Sequence, residues 1–259
     1  MIATRRLLSS LICLLATGCE AYNPACRVDE TSVVGQTESF LDLRPAVVRT
    51  QEAVVGNLIA DALYDALTDN GVAAAVVDAG AIRDRSACGP HAFIDRGPVQ
   101  LGELADMLPF ENNLALVQVN GSELAKVLEH SVARLGEAGP VGQAEQFLQV
   151  SHLQFHVDCS KAAQQGDQVG QRITNIALLD RDGVAHPLDV AATYLIATNT
   201  RLAAGHDGYT WLNQPRPLTD PPADFMVVAN YIASRPGRSV APTVEGRIVL
   251  NDNCETILP

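Results

Sequence analysis

Val72-Ala73-Ala74-Ala75-Val76-Val77 runs directly into Asp78-Ala79-Gly80-Ala81-Ile82-Arg83. The apolar run predicts a short strand that is buried on both faces, and the polar and glycine residues after it predict a loop at the strand's end. Upstream, apolar residues recur at helical spacing between Val55 and Leu67, and Asp69-Asn70-Gly71 predicts the end of that helix. A helix followed by a buried strand predicts an α/β fold.

Helices and strands continue to alternate along the rest of the chain. The predicted elements are a helix at 99–108, a strand at 114–119, a helix capped by Ser122, strands at 147–157 and 172–179, a third strand after Asp182-Gly183, a strand at 194–198, a helix at 225–232 and a strand at 246–250. No internal repeat or long linker divides them. We therefore predict one mixed α/β domain at residues 45–252, preceded by an extended lead-in at 19–44.

The composition is that of an acidic globular protein. The chain has 259 residues, 47% of them hydrophobic, and its 18 basic and 30 acidic side chains give a net charge of −12. Because phosphate backbones require a basic surface, this charge argues against a nucleic-acid polymer as partner. The 14 prolines and 19 glycines are scattered, which excludes collagenous and disordered classes.

The N-terminus predicts export. Arg5-Arg6 precede a mainly apolar stretch from Leu7 to Ala16, which is too short to span a bilayer but typical of a signal peptide at residues 1–18. The residues up to Cys19 resemble the lipobox of bacterial lipoproteins, although Ala16 stands where leucine is usual. We favour a lipoprotein anchored through Cys19 and facing the periplasm or cell surface. An ordinary secretory signal with an incidental cysteine is the alternative.

Export makes disulfides possible among the remaining cysteines. Apart from Cys19 and a cysteine in the signal, these are Cys26, Cys88, Cys159 and Cys254. Three pairings are possible, and we favour Cys26 with Cys254, which would join the two ends of the domain, and Cys88 with Cys159. The cysteines form no CxxC motif or Cys/His cluster, so no zinc site is expected.

Several short segments share their order with one known family. They are Arg49 with Gly56-Asn57-Leu58-Ile59-Ala60-Asp61-Ala62, Gly80-Ala81-Ile82-Arg83, Leu108-Pro109-Phe110, Gly121-Ser122-Glu123-Leu124, Glu129-His130-Ser131, Phe147-Leu148-Gln149-Val150-Ser151, Ala197-Thr198-Asn199 and Gly205-His206-Asp207-Gly208-Tyr209. Together they span about residues 45–250. In this order they resemble the C-terminal, substrate-binding domain of the 5′-nucleotidase family.

The resemblance implies a division of labour between two domains. In that family an N-terminal metallophosphatase domain holds two metal ions and hydrolyses phosphate esters, whereas the C-terminal domain binds the nucleoside. The sequence shows none of the metal-ligand motifs of such a domain, and its six histidines are scattered. His152 and His156 would share a strand face, which is more typical of solvated surface than of a ligand set. We expect no cofactor in this chain, and two divalent metals only with a metallophosphatase chain acting in trans.

The resemblance also implies a nucleoside site. Phe110 matches a family residue that stacks on the base, and Asp207 matches a carboxylate that accepts hydrogen bonds from the ribose hydroxyls. Arg49 and Arg83 match two arginines that contact the substrate, and guanidinium groups suit phosphate oxygens. Asn112 is expected near the edge of the base.

The sequence departs from the family pattern in three places. Arg201 stands where the family has its second stacking aromatic, so the base is expected between Phe110 and a guanidinium. Asp78 replaces an asparagine and adds a negative charge, while alanines replace two glycines of the same loop. His206 replaces a glycine before Asp207.

The leading hypothesis is a nucleotide- or nucleoside-binding domain of nucleotide catabolism that has no catalytic centre of its own. The family consists of phosphoric-monoester hydrolases, and whether this chain is an enzyme stays open. The alternative is a cell-surface interaction or structural lipoprotein that kept the fold and lost the ligand. A third hypothesis, an autonomous enzyme using His206 with Asp207, is weak because adjacent residues on an extended chain seldom face one another.

Overall fold

A computed structural model describes residues 31–86, 89–90, 92–136, 144–166 and 168–254. The described chain is a mixed α/β domain, as predicted, with one continuous apolar core. Within those residues, no helix combines the length and apolarity that crossing a lipid bilayer requires. The predicted signal peptide and the predicted lipid-bearing Cys19 lie outside the described residues.

The helices and strands follow the predicted order. The helices are α1 (Pro45–Val48), α2 (Val54–Ala66), α3 (Leu101–Met107), α4 (Gly121–Ser131), α5 (Thr200–Ala203) and α6 (Asp224–Ser234). The strands are β1 (Val33–Thr37), β2 (Leu41–Asp42), β3 (Ala74–Asp78), β4 (Arg85–Ser86), β5 (Gly89–Pro90), β6 (Phe93–Ile94), β7 (Gly97–Gln100), β8 (Leu114–Asn120), β9 (Leu148–Ser151), β10 (Leu153–Val157), β11 (Ile173–Leu179), β12 (Ala185–Pro187), β13 (Thr193–Asn199), β14 (Pro215–Arg216), β15 (Ser239–Val240) and β16 (Ile248–Leu250).

A five-stranded sheet with the order β14-β8-β13-β3-β9 forms the centre of the domain. Strand β3 is buried along its whole length and pairs in parallel with β13, whereas β8 and β9 are antiparallel to their neighbours. Asn199 lies opposite Leu114, and Asp78 lies opposite Leu148. The carboxyl ends of β3 and β13 therefore meet the amino ends of β8 and β9 at one edge, which we call the ligand edge.

Helix α2 packs closely on this sheet because Gly56 faces β9. A Cβ atom at Gly56 would lie 2.3 Å from the side chain of Gln149. The buried Gln149 amide accepts a hydrogen bond from the Ala53 backbone N–H (3.0 Å) and donates to the carbonyls of Val48 and Gln51 (both 2.8 Å). One side chain thus satisfies backbone groups on both sides of the α1–α2 junction, which would otherwise be buried without partners.

The single strand predicted at 147–157 is wrong, because it is divided at His152. This residue has a positive φ of 56°, so β9 ends before it and β10 begins after it in another sheet. The His152 ring stacks on Tyr64 at 3.5 Å, and the Ser151 hydroxyl donates to Asp61 (2.6 Å). Because His152 lies in the break and His156 within β10, the two histidines do not share a strand face.

Two further sheets cover the flanks. The sheet β12-β11-β10-β16 continues from the break at His152, and the sheet β15-β1-β7 lies against α6. Strand β1 belongs to the segment expected as an extended lead-in. Its residues pair with both neighbouring strands.

The N-cap of helix α4 lies two residues before its predicted position. Asn120, not Ser122, is the N-cap: its side chain accepts from the Glu123 N–H (2.9 Å), and Glu123 accepts from the Asn120 N–H (2.8 Å). This reciprocal pair is a capping box. Ser122 instead donates its hydroxyl to the Asn120 side chain. At the same end, a Cβ atom on Gly121 would lie 2.1 Å from the carbonyl oxygen of Asp189.

The favoured disulfide pairing is wrong. The structure joins Cys159 to Cys254, and Cys26 and Cys88 lie outside the described residues. The reason is the parallel pairing of β10 with β16, which brings the segments following the two strands together. Proximity of these strands cannot be deduced from cysteine spacing.

Candidate functional site

The ligand edge is organised around the buried carboxylate of Asp78, the last residue of β3. Asn199, the last residue of β13, donates its side-chain amide to Asp78 (3.3 Å) and accepts from the Leu202 backbone N–H (2.9 Å) as N-cap of α5. The other oxygen of Asp78, Oδ2, is buried and makes no hydrogen bond within the described part of the chain. A charge in this position is costly.

Burial shifts the pKa of two carboxyl groups at this edge. Burial raises the pKa of Asp78 to about 6, against the lowering effect of the Asn199 hydrogen bond and with a further upward contribution from Asp207. Burial likewise raises the pKa of Asp224 to about 7, against the hydrogen bond from the Phe225 backbone N–H and a smaller lowering effect of the nearby Asn112 side chain. Both groups therefore hold protons to higher pH than ordinary carboxyls do.

Asn112 lies beside the first turn of α6. Its backbone carbonyl accepts from the Asp224 N–H (2.8 Å), and its buried side chain lies at the Asp224 carboxyl. Asn112 thus connects the start of β8 with α6, at the same edge as the other predicted residues.

Arg201 and Asp207 form a bidentate ion pair. Arg201 Nε and Nη2 donate to the two carboxylate oxygens of Asp207 at 2.9 and 3.0 Å. Asp207 has a φ of 55°, and the carbonyl of this residue accepts from His130 Nε2 (2.7 Å). A Cβ atom at Gly208 would lie 2.7 Å from the His130 ring, so glycine permits this contact. His206 is exposed, and the Asp207 carboxylate faces Arg201.

Arg49 and Arg83 both contact Glu145, and Phe110 packs against Arg83. Oε1 of Glu145 lies 3.3 Å from Arg49 Nη1 and 3.6 Å from Arg83 Nη1. The guanidinium of Arg83 lies 4.7 Å from the centroid of the Phe110 ring, and Phe110 is 47% exposed. The guanidinium stacked on Phe110 is therefore that of Arg83, whereas Arg201, predicted as the second stacking group, pairs with Asp207.

Electrostatic interactions connect the Arg201–Asp207 pair with Glu145 and its two arginines. Glu145 and Asp78 both contribute to raising the pKa of Arg201, after the larger effect of its hydrogen bond to Asp207. The pKa of Arg49 is lowered, chiefly by burial and also by Arg83, against the effect of Glu145. The ligand edge thus brings all six predicted residues, Arg49, Arg83, Phe110, Asn112, Arg201 and Asp207, into one charged and aromatic region.

Sequence reasoning missed three residues of this region. Glu145 follows a glycine-containing stretch without periodicity, and nothing in the sequence signals its two arginine contacts. His130 and Tyr209 lie in segments quoted for the resemblance, but no role was inferred for them. The structure places their rings edge to face at 4.8 Å, and the Tyr209 hydroxyl donates to the carbonyl of Gln146.

The donor set at the ligand edge does not fit a two-metal centre. Across the described residues, no three His, Cys, Asp or Glu side chains come together as metal ligands would. The groups that do converge are guanidinium groups, an aromatic ring, two carboxylates paired with arginine (Glu145 and Asp207) and the buried carboxyls of Asp78 and Asp224. These groups suit recognition of an aromatic, polar or anionic molecule.

The structure defines a mixed α/β domain with charged and aromatic side chains gathered at the ends of β3 and β13. The model of the 5′-nucleotidase C-terminal domain matches residues 33–214, and the chain therefore belongs to that family.

Known proteins agree with this assignment. The chain is 32% identical to a 5′-nucleotidase of Diplobatis ommata over 236 residues, covering 87% of this chain and 38% of that protein. It is 33% identical to a snake venom 5′-nucleotidase of Naja atra, covering 84% of this chain and 40% of the relative. The crystal structure of a 5′-nucleotidase precursor from Thermus thermophilus matches with a TM-score of 0.72 and 29% identity, covering 85% of this chain and 40% of that one. The chain thus spans about two fifths of the length of these relatives.

Proposed function

We propose that this domain binds the nucleoside part of a nucleotide and serves nucleotide catabolism outside the cytoplasm. The observation that carries the proposal is the exposed ring of Phe110 at an edge where Arg49, Arg83 and the Arg201–Asp207 pair converge. An aromatic ring with charged groups around it suits a flat base attached to a polar sugar and an anion.

Each group has a distinct role in the proposal. The base stacks on the face of Phe110, and Asn112 lies near its edge. The ribose hydroxyls donate to Asp207, whose carboxylate retains acceptor sites beyond those used by Arg201. Arg49 and Arg83 contact the phosphate.

In this proposal, another protein chain cleaves the phosphate ester. Among the described residues, no three potential metal ligands come together, and the proposal assigns hydrolysis to a metallophosphatase chain acting in trans. That chain would hold both divalent metals. A lipid at Cys19 would keep the domain at the membrane surface, where exported nucleotides are available.

Isothermal titration with adenosine tests the binding proposal. Phe110→Ala is expected to weaken adenosine binding about tenfold, since stacking on one base contributes roughly 1–3 kcal/mol. Phe40→Ala is the matched control, because Phe40 is similarly exposed but packs on Phe93, away from the ligand edge. Absence of heat with millimolar adenosine would refute the proposal. Unchanged binding in both Phe110→Ala and Asp207→Ala would favour a surface protein that has lost its ligand.

Phosphate release from AMP tests the division of labour. The purified full chain with added Mn²⁺ is expected to release no phosphate, and addition of a 5′-nucleotidase metallophosphatase domain is expected to produce release. Turnover by the chain alone would show that it has its own catalytic centre.

Mass spectrometry of the mature N-terminus tests the anchor: an acylated Cys19 is expected, and an unmodified N-terminus contradicts it.

A further inference from the structure

A single carboxylate oxygen lies between the two arginines of the proposed phosphate position. Glu145 Oε1 lies 3.3 Å from Nη1 of Arg49 and 3.6 Å from Nη1 of Arg83. Two guanidinium groups directed at one anionic oxygen form an arrangement that also suits a phosphate oxygen. Glu145 therefore occupies the position that an anionic ligand would take.

The two arginines require a negative charge here. Arg49 is only 4% exposed, and both burial and the positive charge of Arg83 lower its pKa. Glu145 is the largest opposing influence, and Asp84 adds a smaller one. Removing the Glu145 charge would leave two guanidinium groups of like charge, and an incoming anion would relieve their repulsion.

The backbone of Glu145 is fixed, while its side chain is accessible. The Glu145 carbonyl accepts from the Gly80 N–H (2.9 Å), and the Phe147 carbonyl accepts from Ala79 (2.7 Å). A Cβ atom on Gly80 would lie 3.0 Å from that of Glu145, so the two segments approach closely. The Glu145 side chain is nevertheless 45% exposed. Rotation about its own bonds can therefore move the carboxylate away without moving the loop.

We propose that Glu145 is a specificity-determining residue: its carboxylate competes with ligand phosphate for Arg49 and Arg83 and lowers affinity for nucleoside monophosphates relative to nucleosides. This inference rests on the proposed function and deepens it. A phosphate must displace Glu145 and break its two ion pairs, whereas an uncharged nucleoside leaves them in place. The site thereby favours the dephosphorylated ligand.

Titration of Glu145→Gln with adenosine, AMP and inorganic phosphate tests the inference. Glutamine keeps the shape of the side chain and removes its charge. The control is Glu38→Gln, because Glu38 is exposed and contacts Ser239 instead of an arginine. Glu145→Asp is a second variant, whose charge is carried on a side chain one methylene shorter. All titrations use the full chain at one ionic strength, since salt screens these contacts.

Glu145→Gln is expected to bind AMP and inorganic phosphate about tenfold more tightly, while adenosine affinity stays within about twofold. Glu145→Asp is expected to fall between wild type and Glu145→Gln, and Glu38→Gln to match wild type. Equal or weaker AMP binding in Glu145→Gln overturns the inference, as does equal tightening of adenosine. If no variant binds adenosine or AMP but inorganic phosphate binding tightens in Glu145→Gln, the proposed function fails while the competition by Glu145 stands.

Discussion

Replacing Asp78 by asparagine tests the electrostatics of the ligand edge. Asparagine can still accept from Asn199 through its side-chain oxygen, and it fits the space of the aspartate. The substitution removes the ionisable group but retains a polar atom in place of Oδ2, which lacks a partner within the described residues. The variant therefore isolates the cost of burying a charge.

The magnitude follows from the pKa of Asp78, which rises from 3.8 to about 6 on folding. Because the folded-state pKa is the higher one, the stabilising contribution of this group is complete below about pH 4 and is lost as pH rises through about 6. A difference of about two pH units, at about 1.4 kcal/mol each, corresponds to roughly 3 kcal/mol. Asparagine has no such dependence, so the variant gains stability relative to wild type over this interval.

Urea unfolding of both proteins between pH 4 and pH 8 measures this effect. The stability of Asp78→Asn minus that of wild type is expected to increase by about 3 kcal/mol, with half of the change reached at about pH 5 and a plateau above about pH 6. Asp158→Asn, with the titration extended down to about pH 3, is the opposite control: hydrogen bonds from Ser160 and Asn251 lower the pKa of Asp158, so the stability of that variant minus that of wild type should decrease as pH rises through the acidic end of the range. A constant difference between Asp78→Asn and wild type across pH 4–8 would refute the reasoning.

Substitutions at the disulfide and at Gly121 test the packing of the fold. Cys159→Ser and Cys254→Ser are each expected to lower the free energy of unfolding in urea by about 4 kcal/mol, since the bond closes a loop of 95 residues. The double variant should lose no more than either single one, and additive losses would contradict the bond. Gly121→Ala is expected to lower the thermal midpoint and to cost about 1–3 kcal/mol, because its methyl group would meet the Asp189 carbonyl. An unchanged midpoint would show that this segment yields at no cost.

Local sequence patterns predicted the order of the elements because each depends on periodicity within one segment. The continuous apolar run at 72–77 predicted the buried strand β3, and the helical spacing after Val55 predicted α2. The resemblance predicted residues that the fold gathers at the ligand edge. Periodicity is carried by neighbouring residues, and the resemblance is carried by motif order.

The errors arose where tertiary contacts decide the outcome. No glycine or proline marks the break at His152 in the sequence. The residue has a positive φ, and its ring stacks on Tyr64, a contact that only the folded chain makes. The Cys159–Cys254 bond depends on strands far apart in sequence. Glu145 contacts arginines on other elements, so only the folded chain reveals its role. Long-range pairing of this kind leaves no local pattern.

The break at His152 also couples the ligand edge of the central sheet to the sheet β12-β11-β10-β16. Strand β9 starts opposite Asp78 at the ligand edge, and one residue after it ends the same chain enters the neighbouring sheet as β10. No loop intervenes that could absorb a displacement, so fraying of β10 would be transmitted to the backbone at the proposed nucleoside position. Amide hydrogen exchange in β10 should therefore slow when a nucleoside binds at the far end of β9.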